Sequence, residues 1–381
     1  MSPDSKPKVI VLGTGFAALS FLRRIDAKRH DVIVVSPRNH FLFTPLLPST
    51  TVGTLEFRSI IEPIRQALDG ASSTYYQAAC TAIEPSTRLV TCEGAFDHET
   101  FLLSYHALVI AVGGVSRTFG VPGVAEHALF LKELSDARAI RQRIAECFER
   151  ASTPMQTDDE RKRLLNFVIV GGGPTGVEFA AELHDFLQDD LRTWFPGVMD
   201  DARITVVEGS KLLLNTFDVK LSAYTMKRFH RKKIDVRTGA VVKEVRARDV
   251  VLVDGTVIPY GLCVWSTGIG AAPLVQSLAF PKDKAGRLQT DPFFAVDPER
   301  TIYAIGDCAT RAGDSLPATA QVAQQEGEFL AKHLNRIARG LAPKEFKYRH
   351  MGMLAYVGDR RALVDTKYVK GRGFATWIFW R

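Results

Sequence analysis

Two glycine-rich runs carry the most chemistry in this chain. The first is Val9–Ala18 (VIVLGTGFAA), with Gly13 and Gly15 directly after an apolar stretch. The second is Phe167–Gly176 (FVIVGGGPTG), whose first glycine, Gly171, comes 158 residues after Gly13. Glycine is needed at such points because a side chain would block the tight strand-to-helix turn, the approach of backbone to a pyrophosphate, and the contact of helix on strand. The helix that follows aims its N–H groups and its dipole at the phosphates. A third run, Thr301–Asp307 (TIYAIGD), ends in Gly-Asp. One glycine-rich turn is a common structural device. Two at this separation, with the late Gly306–Asp307, describe a chain built to hold two dinucleotides and to pass electrons between them.

In such a unit the acid ending the second strand takes a hydrogen bond from the adenosine ribose. After the second glycine run that residue is Glu208, ending Ile204–Glu208 (ITVVE) beyond the polar stretch 185–202. A carboxylate there repels a 2′-phosphate, which favours NADH over NADPH. After the first run the equivalent position holds Ser36, followed by Pro37 and Arg38. Ribose contact must then come from the hydroxyl, a backbone group or water.

The elements that position these residues read as an α/β chain. Strand Val9–Gly13, helix Ala17–Ile25 and strand Asp31–Ser36 make the opening βαβ unit. Buried-type strands recur at Ala107–Val112, Asn166–Val170, Arg203–Glu208, Val250–Val253, Cys263–Thr267 and Thr301–Ile305. Helical periodicity marks Ala137–Arg150, Gly176–Leu187 and Leu316–Arg339, and the polar stretch Met155–Lys162 reads as a linker. The strand before Gly306 returns to the first domain, so the second domain is an insertion. The expected architecture is tandem Rossmann-like domains: 1–160 with 286–340, 161–285 inserted, and a small region 341–381 with short strands at Leu354–Val357 and Ala362–Thr366.

Bulk properties narrow the class. With 46% hydrophobic and 24% charged residues in 381, this is an ordinary globular composition, and no apolar run reaches membrane-span length. The first strand begins too early to leave room for a signal or transit peptide. Five scattered cysteines give neither a disulfide framework nor metal-ligand spacing, so a reducing compartment and no metal are expected. The net charge of +7 is unevenly placed: residues 331–381 carry 12 Lys/Arg against three acids, and the rest of the chain is close to neutral. A basic end on a neutral body suits an anionic membrane surface; no nucleic-acid motif accompanies it.

The run Ser36–Ser49 (SPRNHFLFTPLLPS) resembles the type II NADH:quinone oxidoreductases, the non-pumping alternative NADH dehydrogenases. Val170–Leu183 (VGGGPTGVEFAAEL), Trp265–Gly268 (WSTG) and Ala320–Gly327 (AQVAQQEG) support the resemblance, which spans essentially the whole chain. It implies FAD in the first domain, with Gly13, Gly15, Phe16, Ala18, Ser36, Pro37, Arg38, Thr44, Pro45, Gly113, Asp307 and Gln325 around it. Asp307 would hold the ribityl-phosphate part, and Thr44–Pro45 would flank the isoalloxazine. NADH would take Gly171, Gly173, Pro174, Thr175, Gly176, Glu208, Thr267 and Gly268. Ubiquinone or menaquinone would use the other flavin face. Glu178, read in the first turn of the second fingerprint helix, becomes the candidate for proton relay or for tuning hydride transfer. Gln321 and Gln324, three apart on one helix, can share a face and hold a quinone carbonyl. Non-electrogenic electron transfer is implied, on the cytoplasmic face of a bacterial inner membrane or on the mitochondrial inner membrane, with a homodimer as the oligomeric expectation. Relatives continue into C-terminal amphipathic helices; here the chain ends at Phe374–Arg381, where Trp377, Phe379 and Trp380 suit the headgroup zone. A disulfide reductase lacks its paired cysteines here, and Cys308 alone does not make a sulfide:quinone oxidoreductase. A ferredoxin reductase or an NADH-responsive flavoprotein sensor are the remaining alternatives.

Overall fold

The computed structural model describes residues 6–68 and 73–378, with backbone alone for Phe379 and Trp380. In chain order the elements that matter are β1 (Lys8–Leu12), α1 (Phe16–Leu22), β2 (Asp31–Val35), β3 (Ser73–Tyr76) and β4 (Ala107–Ile110). Then come β5 (Leu129–Phe130), α2 (Leu134–Ala151), α3 (Asp158–Leu164), β6 (Asn166–Val170), α4 (Pro174–Phe186), β7 (Arg203–Glu208), α5 (Val219–Arg231), β8 (Asp235–Thr238) and β9 (Leu262–Trp265). The chain ends with β10 (Ile302–Ala304), α6 (Ala320–Ile337), β11 (Met353–Tyr356), β12 (Ala362–Asp365), β13 (Lys370–Gly373) and α7 (Phe374–Trp380).

Two compact units result, one from residues 1–43, 61–115 and 269–349, the other from 44–60, 116–268 and 350–381. The first is built on a five-stranded sheet in the order β10-β4-β1-β2-β3, parallel throughout. Strands β1, β2 and β4 are near-continuous runs of Val, Ile and Leu because helices and loops cover both faces. β10 lies beside β4, so the chain does return to the first sheet after the insertion, as its Gly-Asp ending implied. Helix α6 lies tightly on α1: a Cβ at Gly327 would stand 2.1 Å from the Ala17 carbonyl oxygen. Even Gly327→Ala would therefore force the helices apart.

The second unit repeats the plan, with parallel order β5-β9-β6-β7-β8. Its boundaries differ from the sequence expectation: residues 116–160 join this unit, and 269–285 join the first. The stretch read as a linker contains helix α3, capped by Thr157, whose Oγ1 accepts the Glu160 N–H. Its three acids precede its three bases, the order that suits a helix dipole. The tail is not a separate region. Strands β11 to β13 form an antiparallel sheet, and residues from 350 onward belong to the second unit. All five cysteines are free, although Cys80 and Cys92 are register partners on adjacent antiparallel strands.

Candidate functional site

In the first unit the turn after β1 is closed on one side and open on the other. Gly13 sits at φ +110°, and a Cβ there would lie 2.3 Å from the Ala111 carbonyl oxygen. At Gly15 the nearest atom to a built Cβ is Arg38 Nη2 at 4.0 Å, and at Gly113 nothing lies within 4 Å. The open side at Gly15 is therefore bordered by a guanidinium. Thr14 Oγ1 lies 3.1 Å from the carbonyls of Arg38 and His40, which fixes the 36–40 loop over this turn. Ser36 is buried, and its hydroxyl accepts the Arg38 N–H at 3.2 Å, so its evident part is to pin that loop. Pro37 is exposed beside it. Phe16 meets Phe41 edge-on, with ring centroids 4.8 Å apart. Ala18 is fully buried in the core, a packing position rather than a surface that meets a ligand.

At one edge of the same sheet, Gly306–Cys308 forms a short turn shortly after β10, and Asp307 stands half-buried within it. Sequence reasoning missed Glu326, whose carboxylate accepts the Gly306 N–H at 2.6 Å. Burial pushes its pKa up to about 8, with Asp307 adding to the effect. A cavity of about 10 Å³ lies between Asp307, Arg311 and Glu326, room for one water beside the buried Arg311 Nε. On α6, Gln321, Gln324 and Gln325 share the face turned from the core, Gln324 the most exposed. The Gln325 amide is committed: its Nε2 donates to the Arg349 carbonyl and its Oε1 accepts the Arg349 N–H, both at 2.9 Å. It acts as a clamp on residue 349.

In the second unit the turn after β6 has the same construction. Gly171 has φ +117°, and a Cβ would stand 2.2 Å from the Ser266 carbonyl. Around Gly173 nothing lies within 4 Å, and the exposed Pro174 opens helix α4 where no N–H is needed. Thr175 is half-buried, and Gly176 is crowded against Gly171, a Cβ standing 2.0 Å from its carbonyl. Glu208 ends β7, and its two carboxylate oxygens accept the Gly172 and Ser210 N–H groups, each at 2.6 Å. Past β9, the Gly268 carbonyl accepts the Arg117 N–H at 3.0 Å, and Thr267 Oγ1 approaches the Arg117 carbonyl. Thr44 and Pro45 form a short 3₁₀ turn in this unit, Pro45 exposed.

Glu178 lies in the second turn of α4, not the first, because the helix already begins at Pro174. It is buried, and burial pushes its pKa up to about 8, with Glu182 adding. Its Oε1 accepts the Tyr356 N–H at 3.0 Å. Glu182 and Asp185 continue the same helix face at spacings of four and three. Burial also raises the Glu182 carboxyl, although Ser49 and Thr54 hydroxyls each donate to it at 2.7 Å. Asp185 is the opposite case. Burial opposes its ionisation, but bonds from His184, Lys232 and Tyr356 hold it well below the usual carboxylate range. His184, Asp185 and Asp359 have the spacing of metal ligands, but Lys232 Nζ already lies 2.7 and 2.8 Å from the two carboxylates. Glu182, Tyr356 and Asp185 were not identified from sequence; only the four-residue spacing from Glu178 to Glu182 hinted at them.

Each unit thus presents a parallel sheet whose glycine turn, at a carboxyl strand end, is sealed behind and open in front. That fits a dinucleotide in each.

Comparison with known proteins agrees with this geometry. Residues 7–327 match the family model described as pyridine nucleotide-disulphide oxidoreductase. A probable NADH dehydrogenase of Dictyostelium discoideum is 46% identical over 378 residues, 98% of this chain and 84% of that one. The internal alternative NAD(P)H-ubiquinone oxidoreductase A1 of Arabidopsis thaliana mitochondria is 41% identical over 407 residues, 99% of this chain and 79% of that one. Among solved structures, NDH2 from Plasmodium falciparum in complex with NADH superposes with a TM-score of 0.94 at 28% identity, covering 99% of this chain and 93% of that one.

Proposed function

The chain belongs to the pyridine nucleotide-disulphide oxidoreductases, among the alternative NADH:ubiquinone oxidoreductases, and on that premise we propose how its residues divide the work. It is an FAD-dependent enzyme that oxidises NADH and reduces a quinone. When bound, FAD supplies the hydride acceptor for NADH and the two-electron donor for quinone. The protein supplies binding, orientation and charge. The Gly13–Gly15 turn, Arg38 and Asp307 hold the flavin dinucleotide, with Glu326 and the Ser36–Arg38 contact fixing their loops. Thr44 and Pro45 serve the flavin ring. Gly171–Gly173, Thr175 and the start of α4 hold the NADH phosphates; Thr267 and Gly268 complete that site. Glu178 holds a proton at its carboxyl up to about pH 8, because burial disfavours its charged form. Gln321 and Gln324, on the outward face of α6, offer neutral amides to a quinone carbonyl.

One observation carries this reading: the pair of glycine turns, each blocked behind by a carbonyl and open in front. Anaerobic reduction by NADH, followed by mixing with a water-soluble quinone, tests it. The flavin absorbance should bleach and then return on mixing. Failure of either phase would sink the proposal.

Glu208 sets the choice of nicotinamide. Its carboxylate already organises the turn through Gly172 and Ser210, and two lone-pair sites remain for the ribose hydroxyls. Glu208→Gln should narrow the NADH preference by about 10–100-fold, mainly through better use of NADPH, because one charge repulsion is worth roughly 1–3 kcal/mol. An unchanged ratio of the two kcat/KM values would assign selectivity elsewhere.

Among the described residues no helix is long and apolar enough to cross a membrane. We place the enzyme peripherally on a membrane, the cytoplasmic face of a bacterial inner membrane or the mitochondrial inner membrane, and as a homodimer. The basic end is less free than its charge implies. Lys370 pairs with Asp218 at 2.5 Å, Arg339 with Asp26 at 3.2 Å, and Arg372 stacks over Tyr224. Arg360 and Lys367 remain exposed, close in sequence to the exposed Tyr368, Val369, Phe374 and Ile378. Phe379 and Trp380 side chains lie outside the described residues. Binding to anionic vesicles but not to neutral ones is expected, reversed by salt as screening shortens to about 10 Å at 0.1 M. Equal binding to both would make the apolar residues the anchor.

A further inference from the structure

The second unit holds a cavity away from the nucleotide turn. It has a volume of about 380 Å³ and lies at the opposite end of the sheet, where Tyr260–Cys263 enters β9. The glycine turn sits past the far end of that strand, beside Ser266. Four arginines line the cavity: Arg143 and Arg150 from α2, Arg163 from α3, and Arg248 from the loop before the strand Asp249–Leu252.

Their charge is not balanced from within. One carboxylate, Glu160, serves three of them. Arg163 binds it in bidentate fashion at 2.7 and 2.9 Å, Arg150 stands 3.8 Å away, and Arg248 pairs with its Oε2. Three guanidiniums on one carboxylate leave two positive charges over. Arg143 pairs with Glu146 at 3.5 Å along the helix surface. Glu126 is the single acid among the lining residues, and it is exposed. A wall of Ala128, Leu129 and Leu262 adds an apolar side.

Guanidinium groups present planar forks that match phosphate oxygens, and charge-assisted bonds of this kind are the strong ones. The volume is that of a small-molecule site, which spans about 300–1,000 Å³. We propose that this cavity is a second anion site, remote from the dinucleotide turns, that takes a phosphorylated small molecule of nucleotide size. Arg150 and Arg248 grip the phosphates, Arg163 is held in place by Glu160, and the apolar wall takes the uncharged part. This site is independent of the assignment of NADH, FAD and quinone.

The test uses the flavin-loaded full chain with NAD⁺ at saturating concentration, so that the dinucleotide turn is filled. Inorganic tripolyphosphate and ADP are titrated separately by calorimetry at low salt. One molecule of either probe per chain is expected. The double variant Arg150→Gln with Arg248→Gln should weaken that binding by about 10–100-fold, since each charged contact contributes on the order of a tenfold factor or more. The KM for NADH should not move. If the double variant folds poorly, Arg143→Gln at the exposed rim replaces it, with a smaller weakening of at least about threefold for one rim charge. Absence of binding by both probes overturns the proposal, and so does equal binding by wild type and variant. ADP binding more tightly than tripolyphosphate supports the use of the apolar wall.

Discussion

Asp307→Ala is expected to yield a folded protein that loses its flavin on purification. Asp307 stands in a turn that cannot easily rearrange around the loss. Gly306 before it has φ +76°, and its N–H is bound by the buried Glu326 carboxylate at 2.6 Å. Cys308 after it is fully buried, its thiol pointing at the Ile110 carbonyl. The substitution thus removes a half-buried carboxylate from a fixed frame. One hydrogen bond to a charged group contributes about 1.5–3 kcal/mol, which weakens flavin binding by roughly 10–150-fold and suffices to strip it during dilution. The variant's far-ultraviolet dichroism should match wild type, with absorbance near 450 nm lost. Glu326→Gln is the control. Its amide oxygen still accepts the Gly306 N–H, so flavin should stay. Full flavin content in purified Asp307→Ala would remove Asp307 from the site.

Seven of the ten strands in the two sheets are readable in the sequence because parallel strands buried on both faces are written as unbroken apolar runs, and Asn166–Val170 and Arg203–Glu208 agree to the residue; β3 and β8, written STYY and DVRT, and the two-residue β5 carry no such run and were missed. Glycine turns were readable because no other residue type fits where a Cβ would meet a carbonyl. Helix α6 begins at Ala320 rather than Leu316 because Pro317 intervenes and Thr319 supplies the cap, accepting the Val322 N–H. Helix α3 was hidden by its polarity, since a short surface helix has no apolar stripe to report. What the sequence could not convey were contacts between residues far apart in the chain. Nothing near Glu178 predicts that its carboxylate meets the Tyr356 N–H, 178 residues away. The same holds for Gln325 and Arg349, and for the docking of the tail. Hydrophobic period gives a strand its existence, but not the surface on which a three-stranded sheet settles.

The burial of Glu178 also fixes the sign of a pH effect. Burial raises its carboxyl pKa in the fold to about 8, against an ordinary value of 4.5. The folded protein therefore holds this proton more tightly than the unfolded chain does. Stability from the protonated form is fully present below pH 4.5 and is lost as the pH rises through 8. Glu178→Gln keeps an oxygen acceptor for the Tyr356 N–H and a similar volume but cannot ionise. The variant should match wild type near pH 4.5 and become the more stable protein towards pH 9, by on the order of 2–4 kcal/mol. Denaturant unfolding at a series of pH values measures this directly, and parallel curves across the whole range would refute the buried protonated state. Turnover should respond in the opposite direction. A carboxyl that gives and retakes a proton is lost in Gln, so quinone reduction should slow while NADH affinity stays, and the limb of the kcat profile near pH 8 should disappear. Both outcomes follow from the burial of one carboxyl, which outweighs the backbone N–H it faces: the buried acid weakens the fold at alkaline pH.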